Sequence, residues 1–189
     1  MRPCKVMDKS IDSHLVVTRL SAIDALPYRE LRLLALQSHP EAFGASFEEE
    51  SALSESAFAE RLASGAVFGA WSGFQLIGCA GLAGREKTKL RHKAVLWGMF
   101  VRPEARGCGL GKRLLDEAIA HARPCFEEVL LTVVEGNAAA LRLYVSAGIE
   151  EYGREPCTIK VAKVYFHELL MRLPFRGAEA ISLLAEDGS

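Results

Sequence analysis

A chain of 189 residues, half of them hydrophobic and a quarter charged, is long enough for one domain with a substantial core and too short for two. Its formal net charge of -1 argues against a nucleic-acid binder that works through an extended basic face. The apolar runs are strand-sized, far below the ~20 residues of a spanning helix, and "MRPCKVMDKSIDSH" lacks the apolar centre of a signal peptide, so a cytoplasmic protein without membrane contact is expected.

In chain order, "HLVVTRL" (His14 to Leu20) is β-branched and reads as a strand. Asp24 stands as an N-cap before "ALPYRELRLLALQSHP", where Leu31, Leu34 and Ala35 share a helical face and Pro40 marks the exit. "EAFGASFEEES" reads as a loop with an acidic cluster at Glu48, Glu49 and Glu50, and "SESAFAERLAS" as a second helix closed by Gly65. "AVFGAWS" and "FQLIGCAGLAG" flank a Ser72-Gly73 turn and form a hairpin. After a charged break comes the strand "AVLWGMFV" (Ala94 to Val101), ended by Pro103.

From Gly109 to Ala122, Leu110, Leu114, Leu115, Ala118, Ile119 and Ala122 recur at helical spacing, and Pro124 stops the helix. "EVLLTVVE" is a continuous apolar run, the mark of a strand covered on both faces. Asn137 caps the helix "AAALRLYVSA" and Gly148 closes it. "IEEYGREP" and "KVYFHELLMRL" supply two last strands around a loop. The order is β-α-α-β-β-β-α-β-α-β-β, and right-handed crossover makes the strands on either side of the Gly109 helix parallel neighbours. A single domain is expected over 1–174, followed by a loose or disordered tail over 175–189.

Five cysteines without a C-x-x-C pair and five histidines without H-x-x-x-H spacing predict reduced thiols and no metal site. The distinctive stretch is "VRPEARGCGLGKRLLDEAI", where Gly107, Gly109 and Gly111 alternate ahead of a helix and Arg106, Lys112 and Arg113 add positive charge. Unpaired N–H groups and aligned peptide dipoles at a helix start attract anions, and a glycine turn lets a phosphate approach closely. A Walker loop is excluded because Arg113 occupies the position of its Ser/Thr. A dinucleotide fingerprint would need glycine where Lys112 stands, although Glu135 ends the next strand as a ribose-binding acid would.

The ordered combination of V-R-P, R-G-x-G-x-G and N-x-x-A-x-x-L-Y-x-x-x-G resembles the GCN5-related N-acetyltransferase superfamily over roughly Val67 to Leu173. That resemblance implies an α/β (α+β) acyl-CoA N-acyltransferase fold. Its central sheet would be mixed and mostly antiparallel, with about seven strands, a splayed parallel pair and about four flanking helices. It implies acetyl-CoA as co-substrate, with the diphosphate on the backbone from Arg106 through Gly107, Cys108, Gly109, Leu110 and Gly111 to Lys112. Met99, Phe100 and Val101 would lend main-chain groups to the pantetheine arm as an added strand does. An N–H near Phe100 or Val101 would polarise the thioester carbonyl. By similarity Asn137 holds the cofactor arm and Tyr144 protonates the departing thiolate, a role open to a phenol that is protonated at neutral pH.

The implied activity is transfer of an acetyl group to a primary amine of a small molecule or protein by direct attack in a ternary complex. A catalytically silent acyl-CoA-binding module is the competing reading, and a monomer or a homodimer fits either. No base stands out: Glu86, His92, Glu48 to Glu50, His167 and Glu168 all read first as ordinary surface residues. The acidic loop is a candidate attractor of a polyamine or a basic N-terminus. Trp97 and Phe47 are candidates for the acceptor pocket, Ile149 replaces the family's usual phenylalanine, and Cys108 is an unusual occupant of the turn.

Overall fold

The structure, a computed structural model, describes residues 15–175. The expected tail lies outside the described residues from position 176 onward, as does His14 at the start of the first expected strand. The strands are β1 (Leu15–Arg19), β2 (Ala66–Ser72), β3 (Gln75–Gly84), β4 (Lys93–Val101), β5 (Glu128–Val134), β6 (Glu150–Val161) and β7 (Val164–Pro174). The helices are α1 (Ala25–Ser38), α2 (Phe47–Ser51), α3 (Glu55–Ser64), α4 (Leu110–Ala122) and α5 (Ala138–Ser146).

The seven strands form one sheet in the order β1-β2-β3-β4-β5-β7-β6, in which β4 and β5 are the parallel pair and the other neighbours run antiparallel. This is the mixed sheet expected from the sequence. Helices cover both faces. On one, Leu114, Leu115 and Ala118 of α4 pack on Leu96, Val129 and Met171. On the other, Tyr28, Leu31 and Phe58 pack on Val67, Leu76 and Phe100. Burying a leucine or phenylalanine side chain contributes about 1.5–3 kcal/mol, so the periodic apolar faces of α1 and α4 are what fix these helices to the sheet.

Three local expectations need correction. The segment read as an acidic loop contains α2, a fifth helix, because Ser46 Oγ accepts from the Glu49 N–H at 3.2 Å while Glu49 Oε2 accepts from the Ser46 N–H at 2.9 Å. Five residues are too few for an independent helix, and this reciprocal cap is what holds the turn. Asp24 does not cap α1 through its side chain; its carboxylate accepts from the Ser21 N–H at 2.8 Å instead. Finally, β6 continues past Pro156 to Val161, through an irregularity between Glu155 and Ile159.

One feature of the sheet creates the functional space. β4 and β5 pair only at Lys93 with Glu128, Ala94 with Val129 and Val95 with Leu130. Beyond these, β5 continues alongside β7 and β4 alongside β3, and a gap opens between them. The cause is a bulge: Trp97 to Phe100 of β4 stands opposite Gly81 to Cys79 of β3, one residue in excess, with Gly98 at φ +63°. A bulge bends its strand and strengthens the local twist, here swinging the end of β4 away from β5.

Candidate active site

The gap widens into a cleft of about 950 Å³ lined by the end of β4, the turn before α4, one side of α5 from Ala139 to Tyr144, the start of β7 and the segment after α1. Met99, Phe100, Val101, Arg106, Gly107, Gly109, Leu110, Gly111, Lys112, Asn137 and Tyr144 all line it. Cys108 does not. Its exposed thiol turns back to the Ala105 carbonyl at 3.1 Å.

Gly109 occupies the N-cap of α4 at φ +80°, a left-handed conformation that side-chain-bearing residues adopt at a cost of about 1–2 kcal/mol. The first intrahelical bond runs from the Arg113 N–H to the Gly109 carbonyl at 3.1 Å. The amides of Leu110, Gly111 and Lys112 therefore precede the helical ladder and carry the positive end of its dipole. The Arg106 amide is not in this set, since it donates to the Pro103 carbonyl at 3.3 Å. The basic side chains are also engaged. Lys112 pairs with Asp116 at 2.6 Å, and Arg113 donates to the Leu15 carbonyl at 3.1 Å. Arg106 donates to the Val101 carbonyl at 2.9 Å and to His39 Nε2 at 3.2 Å. The main chain of the turn, more than its side chains, is what this end of the cleft presents to an anion.

Across the cleft, Asn137 Oδ1 accepts from the Ala140 N–H at 3.1 Å, the expected cap. The cap uses only the acceptor half of the amide. At the other end of α5 the Ile149 N–H reaches back to the Tyr144 carbonyl at 3.1 Å, with Gly148 at φ +80°, the expected glycine stop. Tyr144 is 7% exposed and its hydroxyl spans the gap to Met99 Sδ at 3.6 Å. Burial pushes its phenol up to about 12, so it stays a proton donor throughout the neutral range.

Of the sequence-derived base candidates only His167 lines the cleft. Its Nδ1 accepts from the Cys157 N–H at 2.9 Å, which leaves the proton of the neutral ring on Nε2. Glu168 is buried and accepts from Thr132 Oγ1 at 2.9 Å. His92 faces a separate hollow beside Phe126 and Phe175. Trp97 packs over Gly81 and, like Phe47, is not part of the cleft wall. Among the wall residues that the sequence did not single out are His39, Glu41, Phe43 and Tyr165. His39 Nδ1 lies 3.4 Å from Glu41 Oε1, so the short H-P-E segment that ends α1 also brings an imidazole and a carboxylate together.

The acidic cluster resolves into distinct roles. Glu49 caps α2, while Glu50 is buried and accepts from Arg32 Nε at 3.1 Å, Arg32 Nη2 at 3.0 Å and Arg61 Nη1 at 3.1 Å. Burial alone would raise the Glu50 carboxyl, but the two guanidinium groups outweigh it and hold the group below its usual 4.5. The stability it confers is therefore complete above pH 4.5 and lost as the pH falls through its lowered value. Glu50→Gln, which leaves the buried Arg32 and the part-buried Arg61 without their anion, is expected to destabilise the protein by about 3 kcal/mol in urea unfolding at pH 7 and to flatten that acid dependence.

Among the proteins with similar sequences, which match over short stretches, two are representative. The chain is 45% identical over 53 residues to mycothiol acetyltransferase of Thermobispora bispora, covering 28% of this chain and 18% of that protein. It is 37% identical over 59 residues to L-methionine sulfoximine/L-methionine sulfone acetyltransferase of Salmonella typhimurium, covering 31% of this chain and 34% of that protein. The chain thus matches well under half the length of either relative. In fold it is similar to yncA of Salmonella typhimurium, solved with its cofactor acetyl-CoA, at a TM-score of 0.73 and 20% identity over 86% of this chain and 95% of that one. The model of the acetyltransferase (GNAT) family matches residues 28–149, more than half the chain, and the chain belongs to that family.

Proposed function

We propose that this protein is an N-acetyltransferase that moves an acetyl group from acetyl-CoA to a primary amine by direct attack in a ternary complex. The observation that carries the reading is the placement of Tyr144, whose protonated hydroxyl faces Met99 across the gap between two parted parallel strands. The cleft fits the co-substrate, since glycines at 107 and 109 leave the turn open and a volume of about 950 Å³ suits a large, extended ligand.

The amides from Cys108 and Gly109 through Leu110 and Gly111 to Lys112 hold the diphosphate, with Arg106 and Gly107 shaping the approach. The edge of β4 at Met99, Phe100 and Val101, which has no strand partner on the side of β5, receives the pantetheine arm, and Asn137 steadies it from α5. Because the Val101 carbonyl is held by Arg106, Val101 contributes its N–H. When bound, acetyl-CoA supplies a thioester whose carbonyl carbon the amine nitrogen attacks; the N–C bond forms, the C–S bond breaks and a thiolate leaves. An N–H of Phe100 or Val101 stabilises the developing oxyanion. Tyr144 gives its proton to the leaving sulfur. The amine proton passes to water in the cleft, whose wall at His39 and Glu41 offers an imidazole and a carboxylate to carry it onward.

Thiol release from acetyl-CoA with a panel of primary amines tests this reading. Amine-dependent release with a matching N-acetyl product is expected. Tight acetyl-CoA binding with no release above the hydrolytic background for any amine would identify a silent binding module instead.

A further inference from the structure

The surroundings of Arg32 are not explained by packing. Arg32 is 5% exposed, and two of its three guanidinium nitrogens are taken by Glu50, while Nη1 is buried without a partner. The local charges do not balance. Arg32 and Arg61 are two cations against the single anion Glu50, and the neighbouring Tyr28 and Cys79 add no negative charge, because burial pushes both of their acidities far above neutrality. One positive charge is left over beneath the segment that follows α1.

The unpaired edge has a direction. Nη1 lies 3.5 Å from where a Cβ would stand on Gly98, the bulge residue of β4 adjacent to Met99 of the cleft wall. The rings of Phe43 and Trp97 flank the guanidinium at 5.0 and 6.0 Å. Such faces attract the charge of a guanidinium but leave its in-plane N–H donors without acceptors. Phe43 is half-buried and belongs to the cleft wall as well. The Phe43 ring therefore borders both the cleft and the guanidinium.

We propose that Arg32 forms an anion subsite for the acceptor, taking a carboxylate on its Nη1 edge when Phe43 turns aside, so that the acceptors are amines that also carry a carboxylate, such as amino acids. This rests on the acetyltransferase reading and specifies its substrate class. It also reverses the expectation drawn from the acidic cluster in the sequence. Glu50 is held by two arginines and offers a polyamine no free carboxylate, whereas the unpartnered Nη1 edge of Arg32 is a donor site for an anion. An arginine edge matches carboxylate geometry, and a buried charged donor without a partner is a strong driving force for acquiring one.

The test compares L-amino acids with their own carboxamides as acceptors at saturating acetyl-CoA. The wild type is expected to show at least about a tenfold higher kcat/KM for the acids, carried by KM, even though the amides have the less basic and more readily deprotonated α-amine. Arg32→Lys should bring that ratio to about one while the acetyl-CoA Kd stays within about twofold. Arg61→Gln, which leaves the Arg32 fork in place and removes the surplus charge, should reduce the ratio partway. Amides equal to or better than the acids in the wild type would overturn the proposal, as would the full ratio persisting in Arg32→Lys. If neither series is acetylated, L-amino acids are titrated calorimetrically into the protein–CoA complex. Heat that vanishes in Arg32→Lys keeps the anion subsite and discards the amine-transfer reading, and no heat discards the subsite too.

Discussion

Gly111→Leu is expected to weaken acetyl-CoA binding by about a hundredfold or more, some 2.7 kcal/mol, while the protein remains folded. A Cβ at this position would lie 3.3 Å from Leu143 Cδ2 and 3.6 Å from Met99 Cε, that is, between the start of α4 and the two walls of the cleft. Both neighbours are the flexible ends of side chains, so the fold can yield by small rotamer shifts. Leucine is also a better helix former than glycine in the first turn of α4. The new isobutyl group then extends toward the space proposed for the cofactor arm. Isothermal calorimetry with acetyl-CoA measures the loss, and thermal unfolding without ligand checks the fold. Unchanged affinity in a folded variant would place the coenzyme elsewhere.

The second large effect is kinetic. Tyr144→Phe should lower kcat by about a hundredfold, the lower end of what a positioned general acid contributes, with acetyl-CoA affinity changed by no more than a few-fold. The ring of Tyr144 is buried against α4 and the sheet and persists in phenylalanine, while its hydroxyl has a thioether as its protein partner, Met99 Sδ at 3.6 Å. Little binding energy is removed. A drop in kcat with a steady Kd therefore isolates a transition-state role. The pH dependence is a second readout. With the phenol pushed up to about 12 by burial, no alkaline limb from this group is expected in the rate profile between pH 7 and 10. For stability the sign is the same. The native phenol titrates above the usual 10, so its contribution is complete below pH 10 and declines as the pH rises toward about 12, where only the unfolded chain has already ionised. A wild-type kcat retained by Tyr144→Phe would remove the assignment.

The acidic cluster, as the structure arranges it, no longer argues for a cationic acceptor. Three consecutive glutamates look like a cationic partner's landing site, yet only Glu48 is left without a structural role, as Glu49 is spent on a helix cap and Glu50 on two guanidinium groups. The outcome is a buried guanidinium edge without a partner beside the cleft, in a chain whose total charge is -1. Local field, set by burial, matters more for a buried subsite than the charge sum does.

By itself the sequence determined the elements whose cause is local. Apolar spacing in the Leu110 to Ala122 helix, the turn at Ser72-Gly73, the Asn137 cap and the Gly148 stop each depend on residues within a few positions of one another, and each was legible. The glycine turn before α4 was legible for the same reason, because a left-handed N-cap and open amides are properties of the backbone there. The Ser46 to Glu49 cap was equally local and was missed, since five residues carry too little periodicity to announce a helix. What only the tertiary structure decided are the long-range encounters. Arg32 meets Glu50 across 18 positions and Arg106 meets His39 across 67. Tyr144 reaches Met99 across 45, because the Gly98 bulge bends β4 away from β5. Helical and strand periods tell which face of an element is apolar, but whether a charge on that face is solvated, paired or left with a spare donor depends on what the rest of the chain packs against it.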